Sequence, residues 1–162
     1  MNPFVTHKLT NEFLKNQAVA QQFNRQSLKQ KGFYPLRSFR NLEHCQMDLM
    51  DMSNQNPRKN RGMKWIFVFI DRYTKLLWAL PMKTKATEDV INAFNDIITD
   101  VYKTTHSMPK VIDCDQESSF KSRAFQLTCE IYQIKLNFVE PGDKHGVGIV
   151  ERVNRTLRER LV

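Results

Sequence analysis

Asp48, Asp115 and Glu151 are carboxylates carried by three different segments of a 162-residue chain. Acids that converge without partners repel one another and drive one member to a high pKa, so such a cluster normally holds a cation. Hard carboxylate oxygens suit Mg²⁺ or Mn²⁺, which keep several waters for exchange with substrate phosphates. Convergence depends on the elements that carry the acids: Asp48 in the first strand, Asp115 after the fourth, Glu151 at the start of the final helix. The three meet if those two strands are neighbours and the final helix packs across them.

The stretch "GIVERVNRTLRERL", residues 148 to 161, sets Val150, Val153, Leu157 and Leu161 on one apolar stripe of a helix. Glu151, Asn154, Arg155 and Arg158 share a different face. Taken alone, Glu151 reads as the i,i+4 ion-pair partner of Arg155, worth about 0.2 to 0.5 kcal/mol. Any larger role must come from the rest of the chain.

Upstream, "CQMDLMDM", "MKWIFVFID" and "KLLWALPMK" have the β-branched and aromatic content of strands, and their short connections favour an antiparallel meander. "TKATEDVINAFNDIITDVYKT" sets Val90, Ile91, Phe94, Ile97, Ile98 and Val101 at helical spacing, with Thr87 as N-cap. "KVIDCD" is a short strand ending in acids. "SSFKSRAFQLTCEIYQ" reads as one helix presenting Phe120, Phe125, Leu127 and Ile131 inward, and "IKLNFVE" as a further strand. "PGDKHGVG" is a loop by its glycines and proline. Residues 1 to 44 have a thin apolar periodicity and form a basic helical and extended arm, leaving 45 to 162 as the core domain. Asp51, three residues beyond Asp48 in a strand of period two, points to the opposite side.

The composition, 41% hydrophobic and 26% charged, fits one packed core. No apolar run approaches the roughly 20 residues that span a bilayer, and the N-terminus lacks a signal-peptide apolar region, so an intracellular protein without a membrane is expected. Three cysteines without a C-x-x-C pair predict free thiols and no structural zinc. The net charge of +8 points to a polyanionic partner. Residues 1 to 44 contribute seven Lys or Arg against two acids, and "NPRKNRGMK" and "RVNRTLRER" add two basic clusters.

With these residues in view, "QMDLMDM", "VFIDRYTKLLWALPMKTK", "DCDQESSF" and "GIVERVNRTLRERL" together resemble the catalytic core of a retroviral-type integrase. The 35 residues between Asp115 and Glu151 match that family's D,D-35-E spacing. The resemblance spans about residues 45 to 162. "DLMDM" and "VERVNRTL" look closest to integrases of Maverick or Polinton transposons and related virophages. It implies a ribonuclease-H-like α/β fold, a mixed five-stranded sheet with helices on both faces. It further implies a polynucleotidyl transferase that trims the 3′ ends of an element's double-stranded DNA and joins them to target DNA. Asp48, Asp115 and Glu151 would be the catalytic acids, holding two Mg²⁺ or Mn²⁺ ions. Lys144, His145, Asn154, Arg155 and Arg158 would contact DNA, in a homo-oligomer found in the nucleus, virion or viral factory.

The sequence departs from the family in places. Glu117 and Ser119 stand where D-x-G-x-E-F has its glycine and acid, so Glu117 would be strained if the turn required φ > 0. The family's N-terminal zinc-binding region is absent, and the chain reads as a core truncated after its last motif helix. Asp71 resembles a structural position that braces a turn. Two rivals follow: a domesticated or inactive DNA-binding module of the same fold, and a related transposase or nuclease.

Overall fold

The computed structural model describes residues 38–55, 60–140 and 147–161. The chain divides into two units, Met1–Tyr34 and Pro35–Val162, and the first lies outside the described residues, as does most of the expected arm. The second unit starts earlier than residue 45. Leu42 is already buried in its core, and its backbone N–H donates to Asp71 Oδ1 at 3.2 Å.

Five strands form one sheet: β1 (His44–Asp51), β2 (Trp65–Asp71), β3 (Leu77–Met82), β4 (Val111–Cys114) and β5 (Lys135–Phe138), in the order β3-β2-β1-β4-β5. β1, β2 and β3 form the expected antiparallel meander, while β4 and β5 run parallel to β1. β1 and β4 are therefore neighbours, with Gln46 opposite Asp113.

Side chains alternate across the sheet. Met47, Leu49, Phe67 and Phe69 face a large core, and Met50, Val68 and Ile70 face a smaller one. Helix α1 (Thr87–Thr105) closes the large core with Val90, Phe94, Ile97, Ile98 and Val101. Phe94 meets Phe125 at 5.0 Å between ring centroids and Phe67 at 6.3 Å. The other face is covered by the last helix, α4 (Gly148–Leu161), through Val150, Val153 and Leu157. Burial on both faces explains why β2 reads as an unbroken apolar run.

Three local expectations are corrected. Ala86, not Thr87, is the N-cap of α1, because the Thr84 hydroxyl takes the Ala86 N–H at 3.1 Å and donates to Asp89. The helix expected over residues 118 to 133 is two: α2 (Ser118–Lys121) and α3 (Arg123–Ile131). Ser122 separates them with an extended backbone (φ −62°, ψ 141°), and its Oγ accepts the Phe125 N–H as the cap of α3. This break re-phases the second half, so Phe125 and Cys129 are buried while Leu127 is exposed and Ile131 is 79% exposed.

Asp71 braces the β2–β3 turn. Fully buried, it accepts the Thr74 N–H at 2.8 Å and the Thr74 hydroxyl at 2.6 Å as well as Leu42. Among the described residues no helix is long and apolar enough to cross a membrane. Cys45, Cys114 and Cys129 are free and buried, and burial raises their thiol pKa values.

Candidate active site

The site is built where β1, the end of β4 and the start of α4 come together. Gln46 and Asp48 lie two apart in β1, so their side chains emerge on one face. The parallel register sets Gln46 opposite Asp113, and Asp115 lies two residues further on, immediately past the end of β4, where its charge reaches Asp48.

Gln46 fixes the third element. Its Oε1 accepts the N–H groups of Ile149 at 3.1 Å and Val150 at 2.9 Å, satisfying donors that the first turn of a helix leaves without partners. One turn on, Asn154 donates its side-chain amide to Asp48 Oδ2. Two strand residues advance about 6.6 Å and four helical residues about 6 Å, so both contacts are made in register and α4 is clamped along β1. Glu151 lies between them, in the first turn of α4.

The charges interact as this placement requires. The carboxyl of Asp48 is pushed up to about 6, first by burial and then by the charges of Asp115 and Glu151, against hydrogen bonds from the Leu49 N–H and Asn154. Asp115 is also raised, mainly by burial; the Glu117 N–H, which donates to its Oδ1 at 3.2 Å, and Lys85 act in the opposite direction, and the Glu117 charge adds to the rise. The charges of Asp115 and Glu151 both bear on Asp48. Among the described residues no three His, Cys, Asp or Glu side chains are close enough to enclose one ion. The donors nevertheless suit Mg²⁺, which is commonly held by one or two carboxylates with waters completing its shell. Asn154 also keeps its Oδ1 buried without a partner at this position.

A sequence profile for the integrase core domain matches residues 40–144. The chain belongs to the integrase core domain family. Similar curated proteins include the retrovirus-related Pol polyprotein from transposon TNT 1-94 of Nicotiana tabacum, 30% identical over 100 residues, which cover 62% of this chain and 7% of that one. Another is the Pro-Pol polyprotein of Simian foamy virus type 3, 29% identical over 102 residues, covering 63% of this chain and 8% of that one. The integrase core thus spans less than a tenth of the length of these relatives.

Among solved structures, a simian T-cell lymphotropic virus intasome chain matches with a TM-score of 0.68 at 19% identity, covering 96% of this chain and 52% of that one. The HTLV-2 integrase catalytic core domain in complex with magnesium matches with a TM-score of 0.59 at 22% identity, covering 76% and 72%. The fold is the ribonuclease-H-like fold of integrase cores.

Within this integrase core, the residues singled out in the sequence separate into groups. Asp48 lies in β1, Asp115 just past β4, which pairs with β1, and Glu151 in α4, which packs on β1 and β2. Arg155 and Arg158 are exposed on α4, and among the described residues no ion pair joins Glu151 to Arg155. Asn154 does not share their outward face. It is only 8% exposed and turned to Asp48, because the clamp on Gln46 rotates residues 150 and 154 toward the sheet. Leu161, expected on the apolar stripe, is exposed. Lys144 and His145 lie outside the described residues.

Glu117 has φ −56° and ψ 138°, an ordinary extended backbone, so no glycine is required there. Its carboxylate pairs with Lys85 at 3.0 Å. Asp113 shares a strand face with Asp115 but is committed elsewhere: buried, it accepts from Arg72 Nη1 at 2.8 Å and from Asn137 Nδ2 at 2.6 Å. Gln46 was not singled out in the sequence, where its signal was an amide inside an otherwise apolar strand.

Proposed function

We propose that this chain is the catalytic core of a DNA integrase, a polynucleotidyl transferase that trims the 3′ ends of an element's DNA and joins them to target DNA. The observation that carries the reading is the seating of α4 along β1, where Gln46 holds the start of the helix and Asn154 meets Asp48, with Glu151 between the two contacts. Asp48 and Asp115 would hold divalent cations, with Glu151 completing one site from α4. Bound there, two Mg²⁺ or Mn²⁺ ions would activate the attacking oxygen and stabilise the leaving 3′-oxygen.

The chain's own residues supply position and charge. Asn154 holds one oxygen of Asp48 and so fixes the direction of the other. Arg155 and Arg158 lie exposed one and two turns beyond Glu151, where they would take backbone phosphates without reading sequence. In trimming, water attacks the phosphodiester; in joining, the freed 3′-hydroxyl attacks a target phosphodiester. Each step exchanges one P–O bond for another, and no covalent enzyme intermediate forms.

The dimeric form of the HTLV-2 core and the intasome of the simian virus support a homo-oligomer acting on DNA. The motifs "DLMDM" and "VERVNRTL" support an origin in a Maverick or Polinton element or a virophage, with an intracellular site of action in nucleus, virion or viral factory. Incubation with a duplex bearing the element's own end, in Mg²⁺ or Mn²⁺, tests the reading. Shortened 3′ ends and strand-transfer products are expected from the wild type and neither from Asp48→Asn. Binding without any cutting would establish the inactive DNA-binding module instead, and hydrolysis without joining a related nuclease.

A further inference from the structure

Lys85 stands in the connection between β3 and α1, at the rim of the acid cluster, and groups from several elements share its ammonium. It pairs with Glu117 Oε1 at 3.0 Å and lies 5.0 Å from the centre of the Trp65 ring. Its charge also favours the ionised forms of Asp115 and of Asp51.

The pair is not a necessary fastening of the fold. Its side chains are 47% and 24% exposed, and pairs in contact with water add little stability. Glu117 also occupies the N-cap position of α2, but its side chain does not cap the helix. It reaches instead to Lys85.

The surroundings suggest what the cation is for. Asp51, at the end of β1, lines a cavity with Arg155 and Arg158 of α4 and pairs across the sheet with Trp65, whose ring Lys85 covers from the connection to α1. Those two helices cover opposite faces of the sheet. Cations therefore reach the end of β1 from both layers, and an approaching phosphate would meet Arg158 on one flank and Lys85 on the other.

We propose that Lys85 is a phosphate contact of the DNA interface which Glu117 keeps occupied until DNA arrives, the ammonium then exchanging the Glu117 carboxylate for a backbone phosphate beside Asp115. This rests on the integrase reading. Glu117 thereby acts as an internal competitor that weakens non-productive binding.

The test is a double-mutant cycle on the full chain, with a duplex oligonucleotide of arbitrary sequence titrated at several salt concentrations and folding checked by thermal unfolding. Glu117→Gln should bind about two- to fivefold more tightly, the range set by an exposed ion pair. Lys85→Gln should bind more weakly, with the slope of log K against log salt reduced by about 0.9. In the Lys85→Gln background Glu117→Gln should change nothing, and Lys85→Arg should restore binding. Lys85→Met, which keeps the stem against Trp65, replaces Lys85→Gln if that variant does not fold.

The assignment is overturned if Glu117→Gln tightens binding equally without Lys85, as a general field effect would, or if it weakens binding, as a structural pair would. Alanine at Arg155 and Arg158 separates the two levels. If the wild type has no affinity for DNA, or the arginine pair does not matter, the integrase reading fails and takes this assignment with it. Binding that needs the arginines but ignores Lys85 overturns the Lys85 assignment alone.

Discussion

Asn154 on the last helix donates to Asp48 on the first strand, 106 residues earlier in the chain. The bond joins a buried amide to a carboxylate that the charges of Asp115 and Glu151 oppose, and with the Leu49 N–H it favours the ionised form of Asp48. Asn154→Ala should therefore do two things. It should cost about 1 to 3 kcal/mol, since a charged acceptor loses its partner, and lower the melting temperature by roughly 2 to 4 °C per kcal/mol. It should also depress Mg²⁺-dependent cleavage by more than the lost stability explains. A variant with unchanged melting and unchanged cleavage would show that the bond does not position Asp48.

Asp48→Asn should have opposite effects on stability and activity. Removing a charge that burial, and then Asp115 and Glu151, disfavour should stabilise the metal-free protein at neutral pH, by on the order of 1 to 3 kcal/mol. Strand transfer should vanish. Melting curves beside the activity assay check both, and a destabilised variant would mean that the two hydrogen bonds to Asp48 outweigh the repulsion.

The same acid predicts a pH dependence. Its carboxyl sits at about 6 in the folded protein against an ordinary 3.8, so between those values the folded state binds a proton more tightly than the unfolded chain does. Its contribution to stability rises as pH falls through that window and is least favourable above about 6. Asp115, raised as well, acts in the same direction. Subtracting the pH profile of Asp48→Asn isolates the effect, because other carboxylates titrate in both proteins. Identical profiles would remove Asp48 as its source.

The exposed face of α4 separates catalysis from binding. Glu151→Gln should leave DNA affinity intact or raise it while phosphoryl transfer collapses, because Arg155 and Arg158 are not engaged by Glu151. Alanine at both arginines should weaken binding to all sequences alike and shrink the salt slope by about 0.9 per lost phosphate contact. If Glu151→Gln weakened binding as much as the arginine pair and left Mg²⁺-dependent activity intact, Glu151 would be an ordinary helix-surface acid.

Beneath the site, Arg72→Ala should be strongly destabilising. Arg72 and Asp113 form a buried pair at 2.8 Å, and Asn137 alone cannot neutralise the Asp113 charge left behind. A loss of roughly 3 to 5 kcal/mol is expected in chemical denaturation. A value below 1 kcal/mol would indicate that water enters to solvate Asp113.

Residue patterns specified the sheet and α1 well, because both are amphipathic in ways that do not depend on distant partners. The three acids were picked out by their positions at the ends of elements and by the spacing of the resemblance, and the element ends that carry Asp48, Asp115 and Glu151 lie where the sequence put them. What escaped notice depends on tertiary contact. A helical wheel groups Asn154 with Glu151, Arg155 and Arg158, and only the grip of Gln46 on residues 149 and 150 turns Asn154 inward. The break at Ser122 was hidden because Phe120, Phe125, Leu127 and Ile131 fit one continuous helix about as well as two short ones. Glu117 looked strained only on the assumption that its turn needed φ > 0, which the folded chain does not require.

The clamp of Gln46 on the start of α4 spans 103 and 104 residues of sequence. Contacts of such high order form late, since the intervening meander and crossover must be organised before the ends can meet. Reactive competence should then switch on with the final cooperative step of folding and not before. On the function proposed for the three acids, a nascent or partly unfolded molecule carries them on separate stretches of chain and would be harmless to nearby DNA: assembly itself acts as the safety catch.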